Sequence, residues 1–170
     1  MDRFARLIGA LHAADVRFVV IGVWGANYWA RHAGMQFSTK DRDLFLPPDP
    51  ENELRAWSVC ERNGLTLWCG DEPLGEPKDT FLAKAVVDRR MLVTAIGTPD
   101  LVVDLSLVMA GLDFEEAFAN HRDFEVDGVI IPVASLHDII ESKRVANREK
   151  DRLFLATHAE ALRQFFGEDE

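Results

Sequence analysis

At 170 residues, 48% of them hydrophobic, the chain is long enough to bury one substantial core. Its formal charge of −10 argues against broad coating of nucleic acid, because an acidic surface repels phosphates at long range. Two cysteines, Cys60 and Cys69, are too few for a secreted disulfide framework or a zinc site, and no apolar run approaches the roughly 18 residues that span a bilayer.

Asp2, Arg3 and Arg6 break up the first residues, so no signal peptide is expected there. The expectation is a cytoplasmic protein with reduced thiols and no membrane partner. The acidic balance still leaves room for a local basic pocket that takes one nucleotide or one RNA end.

In chain order, Phe4, Leu7, Ile8 and Leu11 recur at helical spacing within Arg3–Ala14 and predict an amphipathic helix. RFVVIG (Arg17–Gly22) is a short apolar run ending in glycine, the pattern of a buried strand. Helical spacing returns over Val23–His32. DLFL (Asp43–Leu46) predicts a second strand, stopped by Pro47 and Pro48. Glu51–Asn63 is rich in helix formers, carries acidic residues in its first turn, and meets Gly64 as its stop. Gly70–Thr80 is polar and punctuated by Gly and Pro, so it reads as a loop. RMLVTAI (Arg90–Ile96) and LVVDLSLV (Leu101–Val108) predict strands. Asp113–Asn120 suits a short helix, and Phe124–Val133 a hairpin turning at Asp127-Gly128. Ser135 with Asp138 reads as a capping box for a helix over Leu136–Ala146, and a last helix runs over roughly Glu149–Phe166. His137-Asp138 has no second histidine cluster to make it a metal pair, so capping is its expected role. Trp24, Trp29, Trp57 and Trp68 read as core or groove aromatics, with Trp24 close enough to Gly22 to touch a base. The order of elements implies one sheet flanked by helices, α/β or α+β.

Three carboxylates stand out. On a strand, residues i and i+2 share a face, so Asp41 and Asp43 in STKDRDLFL would point the same way and repel each other unless a cation lay between them. Taken alone, the run Lys40–Asp43 fits a solvated turn better than a metal site. Asp104 interrupts VVDLSL, where an unpartnered aspartate is costly to bury. If that strand lies beside Asp43–Leu46, the three converge into a ligand set for two metal ions, the arrangement that clamps attacking and leaving oxygens in nucleotidyl transfer. Upstream, VVIGVWGAN places Gly22 where a strand hands over to a helix, a junction at which backbone N–H groups can approach a phosphate. Neither GxxxxGK[ST] nor GxGxxG occurs. Arg148 and Lys150 add local positive charge suited to phosphates or an RNA end.

VVIGVWGANYWARHAGMQFSTKDRDLFL resembles the opening of the minimal nucleotidyltransferase-fold family: strand, glycine, helix, then T-x-D-x-D before an apolar run. Gly22, Thr39, Asp41 and Asp43 fall on those positions, and Asp104 on the later strand carboxylate. IPVASLHDIIESKRVANREKD resembles the tail of the AbiEii-like abortive-infection toxin branch, through Lys143, Arg148, Lys150 and Asp151. Two positions differ. Val23 stands where Gly or Ser is usual, and Phe37 where an arginine is common.

The resemblance spans about residues 4–160 and implies a nucleotidyltransferase-like domain over 1–170, with a mixed-sheet core at about 4–133 and a C-terminal helical pair at about 135–166. It implies Mg²⁺ (two ions, with Mn²⁺ as a substitute) on Asp41, Asp43 and Asp104. A nucleoside triphosphate would be held by Gly22, Val23, Thr39, Lys143 and Arg148. The implied acceptor is a tRNA end or a protein hydroxyl, in a system with an antitoxin partner. The alternatives are a small molecule of aminoglycoside or lincosamide type, or a non-catalytic nucleotide-binding domain of the same fold.

Overall fold

The computed structural model describes residues 1–166, and among these eight strands form one mixed sheet in the order β4-β3-β5-β6-β2-β1-β8-β7. Helix α1 (Arg3–Ala13) starts where Asp2 accepts the Phe4 N–H at 2.7 Å, and it buries Phe4, Leu7, Ile8 and Leu11 on one stripe. Each such apolar side chain contributes about 1.5–3 kcal/mol on burial. Strand β1 (Val19–Ile21) is buried throughout. It passes through Gly22 into α2 (Gly22–Ala30), which ends in a 3-10 turn at Arg31–Ala33.

Strand β2 (Arg42–Phe45) runs antiparallel to β1 and parallel to β6 (Leu101–Ser106). Helix α3 (Pro50–Arg62) has Asp49 as its cap and Pro50 in its first turn, where proline's fixed φ costs nothing. Strand β5 (Val93–Gly97) lies antiparallel to β6. Beyond α5 (Phe114–Ala119), the hairpin of β7 (Arg122–Val126) and β8 (Val129–Val133) turns at Asp127 and Gly128. Both have positive φ, 51° and 80°, as a primed turn demands. Strand β8 closes parallel to β1.

Two stretches depart from the sequence patterning. Residues 66–69 form β3 (Thr66–Cys69), and the expected loop at Gly70–Thr80 contains β4 (Glu72–Pro73), paired to β3. Helix α4 (Thr80–Asp88) then packs on α3. A four-residue strand half open to water, followed by a two-residue edge strand, is too short to impose a periodicity.

The C-terminal segment is helical as expected. Helix α6 (Leu136–Ala146) packs on α2, and α7 (Glu149–Phe154) continues through a π-helical turn at Leu155–Ala159 into α8 (Glu160–Phe166). Only half of the expected box at Ser135 forms. Ser135 Oγ accepts the Asp138 N–H at 3.0 Å, but the Asp138 carboxylate instead accepts from Asn120.

Exposure alternates along β3, β5 and β6. Leu67, Val93, Ala95, Leu101, Val103 and Leu105 are buried on the face that carries the core. Thr66, Trp68, Thr94, Ile96, Val102, Asp104 and Ser106 lie half-buried or exposed on the other. The fold is thus one-sided at this end of the sheet.

Candidate active site

The site is built on the parallel pairing of β2 and β6, whose register sets Asp43 opposite Asp104. Register partners share a face, so the two carboxylates stand side by side across one strand spacing. The expected convergence is thereby met for two of the three aspartates. The Asp43 carboxyl is pushed up to about 7 by burial. The charge of Asp104, a hydrogen bond shared with it, and the charge of Asp41 act in the same direction, while Lys143 pulls it back down. Asp41 differs from the sequence expectation. It precedes β2, is exposed, and donates its backbone N–H to Thr39 Oγ1 at 3.2 Å, while its charge still reaches Asp43. No three His, Cys, Asp or Glu side chains among the described residues are grouped closely enough to hold a metal ion.

Gly22 faces the acid pair. Its φ is +71°, and a Cβ at this position would lie 2.5 Å from Asp43 Oδ2. Two independent restraints, backbone and space, therefore require glycine here. Helix α2 begins at Gly22 without a side-chain cap, whereas Asp2, Asp49, Asp79, Asp113 and Ser135 cap α1, α3, α4, α5 and α6. Its first-turn N–H groups are left for a ligand, and an anion is the group they suit. Val23 sits in that turn with its side chain half-buried against the core, so the side chain serves packing.

Lys143 of α6 is buried. Its Nζ is 3.7 Å from Asp151 Oδ1 and 4.8 Å from the centre of the Phe154 ring. Burial holds its pKa below the ordinary lysine value, with Arg148 and Lys150 acting likewise and Asp151 and Asp43 opposing. Asp151 in turn is the acceptor for Arg148. Nε donates to Oδ2 at 2.7 Å, Nη2 to Oδ1 at 3.3 Å, and the Arg148 backbone N–H to Oδ2 at 3.2 Å. Burial works against ionisation of Asp151, but those bonds, with the charges of Arg148 and Lys143, hold it below the usual carboxylate range. Arg148 is thus committed to Asp151 rather than free for phosphate, although its side chain remains 60% exposed.

Several positioning groups have no signature in the sequence. The buried Asn27 amide brackets Phe37, donating to its carbonyl at 3.0 Å and accepting its N–H at 2.6 Å. This ties α2 to the segment that leads into Thr39–Asp43. Phe37 itself is buried against Phe154 and His158, with ring centres 5.1 and 4.6 Å away, so the side chain at this position anchors the C-terminal helices. Thr94 of β5 donates to Asp104 Oδ1 at 2.8 Å. Trp24 lies over the Arg42 guanidinium at 4.1 Å and donates its indole N–H to Tyr28, which commits it to packing rather than to a base. His137 is exposed, and Asp138 takes part in the cap only through its N–H, which Ser135 accepts, while its carboxylate accepts from Asn120.

The chain has a nucleotidyltransferase-like fold. It is similar in structure to the antibiotic-resistance factor ANT(2'')-Ia, whose structure was determined in solution, with a TM-score of 0.50 over 96% of this chain and 90% of that one, at 18% identity. No protein-family model matches the sequence, and neither does any curated protein. No helix among the described residues is long and apolar enough to cross a membrane.

Proposed function

We propose that the protein is a Mg²⁺-dependent nucleotidyltransferase that moves a nucleoside monophosphate from a nucleoside triphosphate to a hydroxyl acceptor. One observation carries this reading. Asp43 is paired by register with Asp104 and lies against the uncapped start of α2 at Gly22, within reach of the Lys143 charge.

The residues fit a divalent cation. Two carboxylates held side by side repel, which adds to burial in raising the Asp43 pKa, and Mg²⁺ typically takes one or two carboxylates with the rest of its shell from phosphates and water. When bound, Mg²⁺ would neutralise phosphate charge as it builds up on the leaving group. Asp43 and Asp104 would hold it, with Asp41 at the mouth of the site.

The chain's own groups then divide the work. The first-turn N–H groups of α2 and the Lys143 ammonium bind and orient the triphosphate. Asp151 fixes Lys143, and the Gly22 turn brings backbone close to the phosphates. Asp104 accepts the proton of the acceptor hydroxyl as its oxygen bonds to the α-phosphorus. The bond from the α-phosphorus to the bridging oxygen breaks, and pyrophosphate leaves.

The acceptor class follows from two different supports. The tail resembling AbiEii-like toxins favours a tRNA end or a protein hydroxyl, with an antitoxin as regulator. The likeness to an antibiotic-resistance factor, together with the charge of −10, favours a small molecule. Calorimetry with ATP, CTP, GTP and UTP, with and without Mg²⁺, tests the common core. Mg²⁺-dependent binding of at least one nucleotide is expected, weakened at least tenfold in Asp43→Asn. Binding of none of the four would sink the nucleotidyl-transfer reading, and transfer surviving Asp43→Asn at a near wild-type rate would sink the assignment of the pair.

A further inference from the structure

The strand registers place one row of residues straight across the sheet: Ile21, Asp43, Asp104, Thr94, Trp68 and Pro73 are successive partners. Everything proposed above for the triphosphate lies on the β1 side of the acid pair, namely Gly22, the start of α2, and Lys143. An in-line displacement needs its attacking and leaving oxygens on opposite sides of the phosphorus. With pyrophosphate on the β1 side, the attacking hydroxyl must come from the β5–β3 side.

That side carries a surface of its own. Ile96 is 38% exposed, and Val102, Thr94 and Trp68 are half-buried on the same face as Asp104. The Trp68 indole is fixed along its strand, because Nε1 donates to Thr66 Oγ1 at 2.9 Å. Its polar end is thereby satisfied, and the ring offers an apolar surface two strand spacings, about 10 Å, from Asp104. Thr94 stands between them and holds Asp104 Oδ1, which fixes the carboxylate on this face of the sheet.

We propose that this open face of β3, β5 and β6 is the acceptor subsite, and that its occupant is a small molecule with a hydroxylated ring. The ring lies against Trp68 and Ile96, and the reacting hydroxyl reaches Asp104. A polynucleotide is the poorer fit, since its phosphates would run beside Asp41, Asp43 and Asp104 on a chain of charge −10. The inference rests on the nucleotidyl-transfer reading and deepens it.

The test follows the Trp68 indole N–H in ¹H–¹⁵N spectra, assigned by its disappearance in Trp68→Phe. Full-length protein with Mg²⁺ and a non-hydrolysable ATP analogue is titrated separately with kanamycin, with lincomycin, and with a CCA-ended RNA hairpin. The expected result is a saturable shift of the Trp68 signal with at least one of the two ring alcohols. Trp68→Ala should weaken that binding at least fivefold, and Trp68→Phe should keep it within about twofold, because an aromatic contact is what is lost. Nucleotide affinity, measured by calorimetry on the same proteins, should not change. No shift with either ring alcohol while the nucleotide binds normally overturns the subsite alone. A shift with the RNA instead, or Trp68→Ala binding as wild type, overturns the assigned occupant. Failure of the nucleotide itself to bind removes the transfer reading and this inference together.

Discussion

Gly22 and Thr94 show how single side chains set this site. At Gly22 an alanine would need a left-handed backbone, costing roughly 1–2 kcal/mol, and would drive its Cβ into Asp43 Oδ2. Gly22→Ala is therefore expected to lower the midpoint of urea denaturation modestly and to abolish Mg²⁺-dependent nucleotide binding by calorimetry. The second effect should far exceed what the first explains. Thr94 acts through Asp104. Removing its hydroxyl while keeping its shape, in Thr94→Val, should lower the transfer kcat about tenfold, the order expected for one lost hydrogen bond to a charged group. Nucleotide Kd should stay put, and Thr94→Ser should restore the rate. A loss in nucleotide affinity equal to the loss in rate would point instead to general damage. Gly22, Asp43 and Asp104 were legible in the sequence because glycine at a strand–helix junction and aspartate inside an apolar strand each violate a local preference. Thr94 was not legible. A threonine in a strand violates nothing, and only the register with Asp104 gives it a task.

The elements differ in the same way. α1, β1, α3, the β7–β8 hairpin and α6 follow from sequence because each has its own signal: a helical stripe, an apolar run, a proline or serine at the start, or Asp-Gly at a primed turn. β3, β4 and α4 lack one. They gain their shape from β5 and α3, which chain-order reading cannot see. The segment between α2 and β2 is a third case. It has little regular structure, yet it delivers Asp41 and Asp43, and Asn27 holds it by imitating a strand partner for Phe37. Asn27→Leu would leave the Phe37 N–H and carbonyl buried without partners, at a cost of about 2–3 kcal/mol. The expected local consequence is measurable by hydrogen exchange, as faster exchange at residues 37–43 while amides of β5 and β6 stay protected. Uniform acceleration across the sheet would show that the amide supports the fold at large and not this segment.

For the whole molecule, a carboxylate away from the Asp43–Asp104 pair, that of Glu53, is also held at a cost. Glu53 of α3 is fully buried, with no well-formed hydrogen bond to its carboxylate among the described residues and the Trp57 indole facing it only loosely. Burial pushes its carboxyl up to about 7, with Trp57 opposing, and both burial and the Glu53 charge help raise the neighbouring Cys60 thiol to about 12. An unfolded glutamate ionises near 4.5, so between about pH 4.5 and 7 the folded chain holds a proton that the unfolded chain has released. Glu53 therefore favours the folded state fully at the acid end of that window, and its contribution is lost as pH rises through it. A shift of this size corresponds to about 3 kcal/mol between the two ends. Glu53→Gln removes the titration and keeps the shape. Urea denaturation at pH 5 and pH 8 should show the wild type losing about 3 kcal/mol more than the variant across that interval, with groups common to both cancelling in the difference. Equal losses would mean that Glu53 is hydrated in the folded protein and that its burial costs nothing. The outcome bears on the candidate site, because stability lost from α3 is lost from the scaffold that holds β2 and β6 in register.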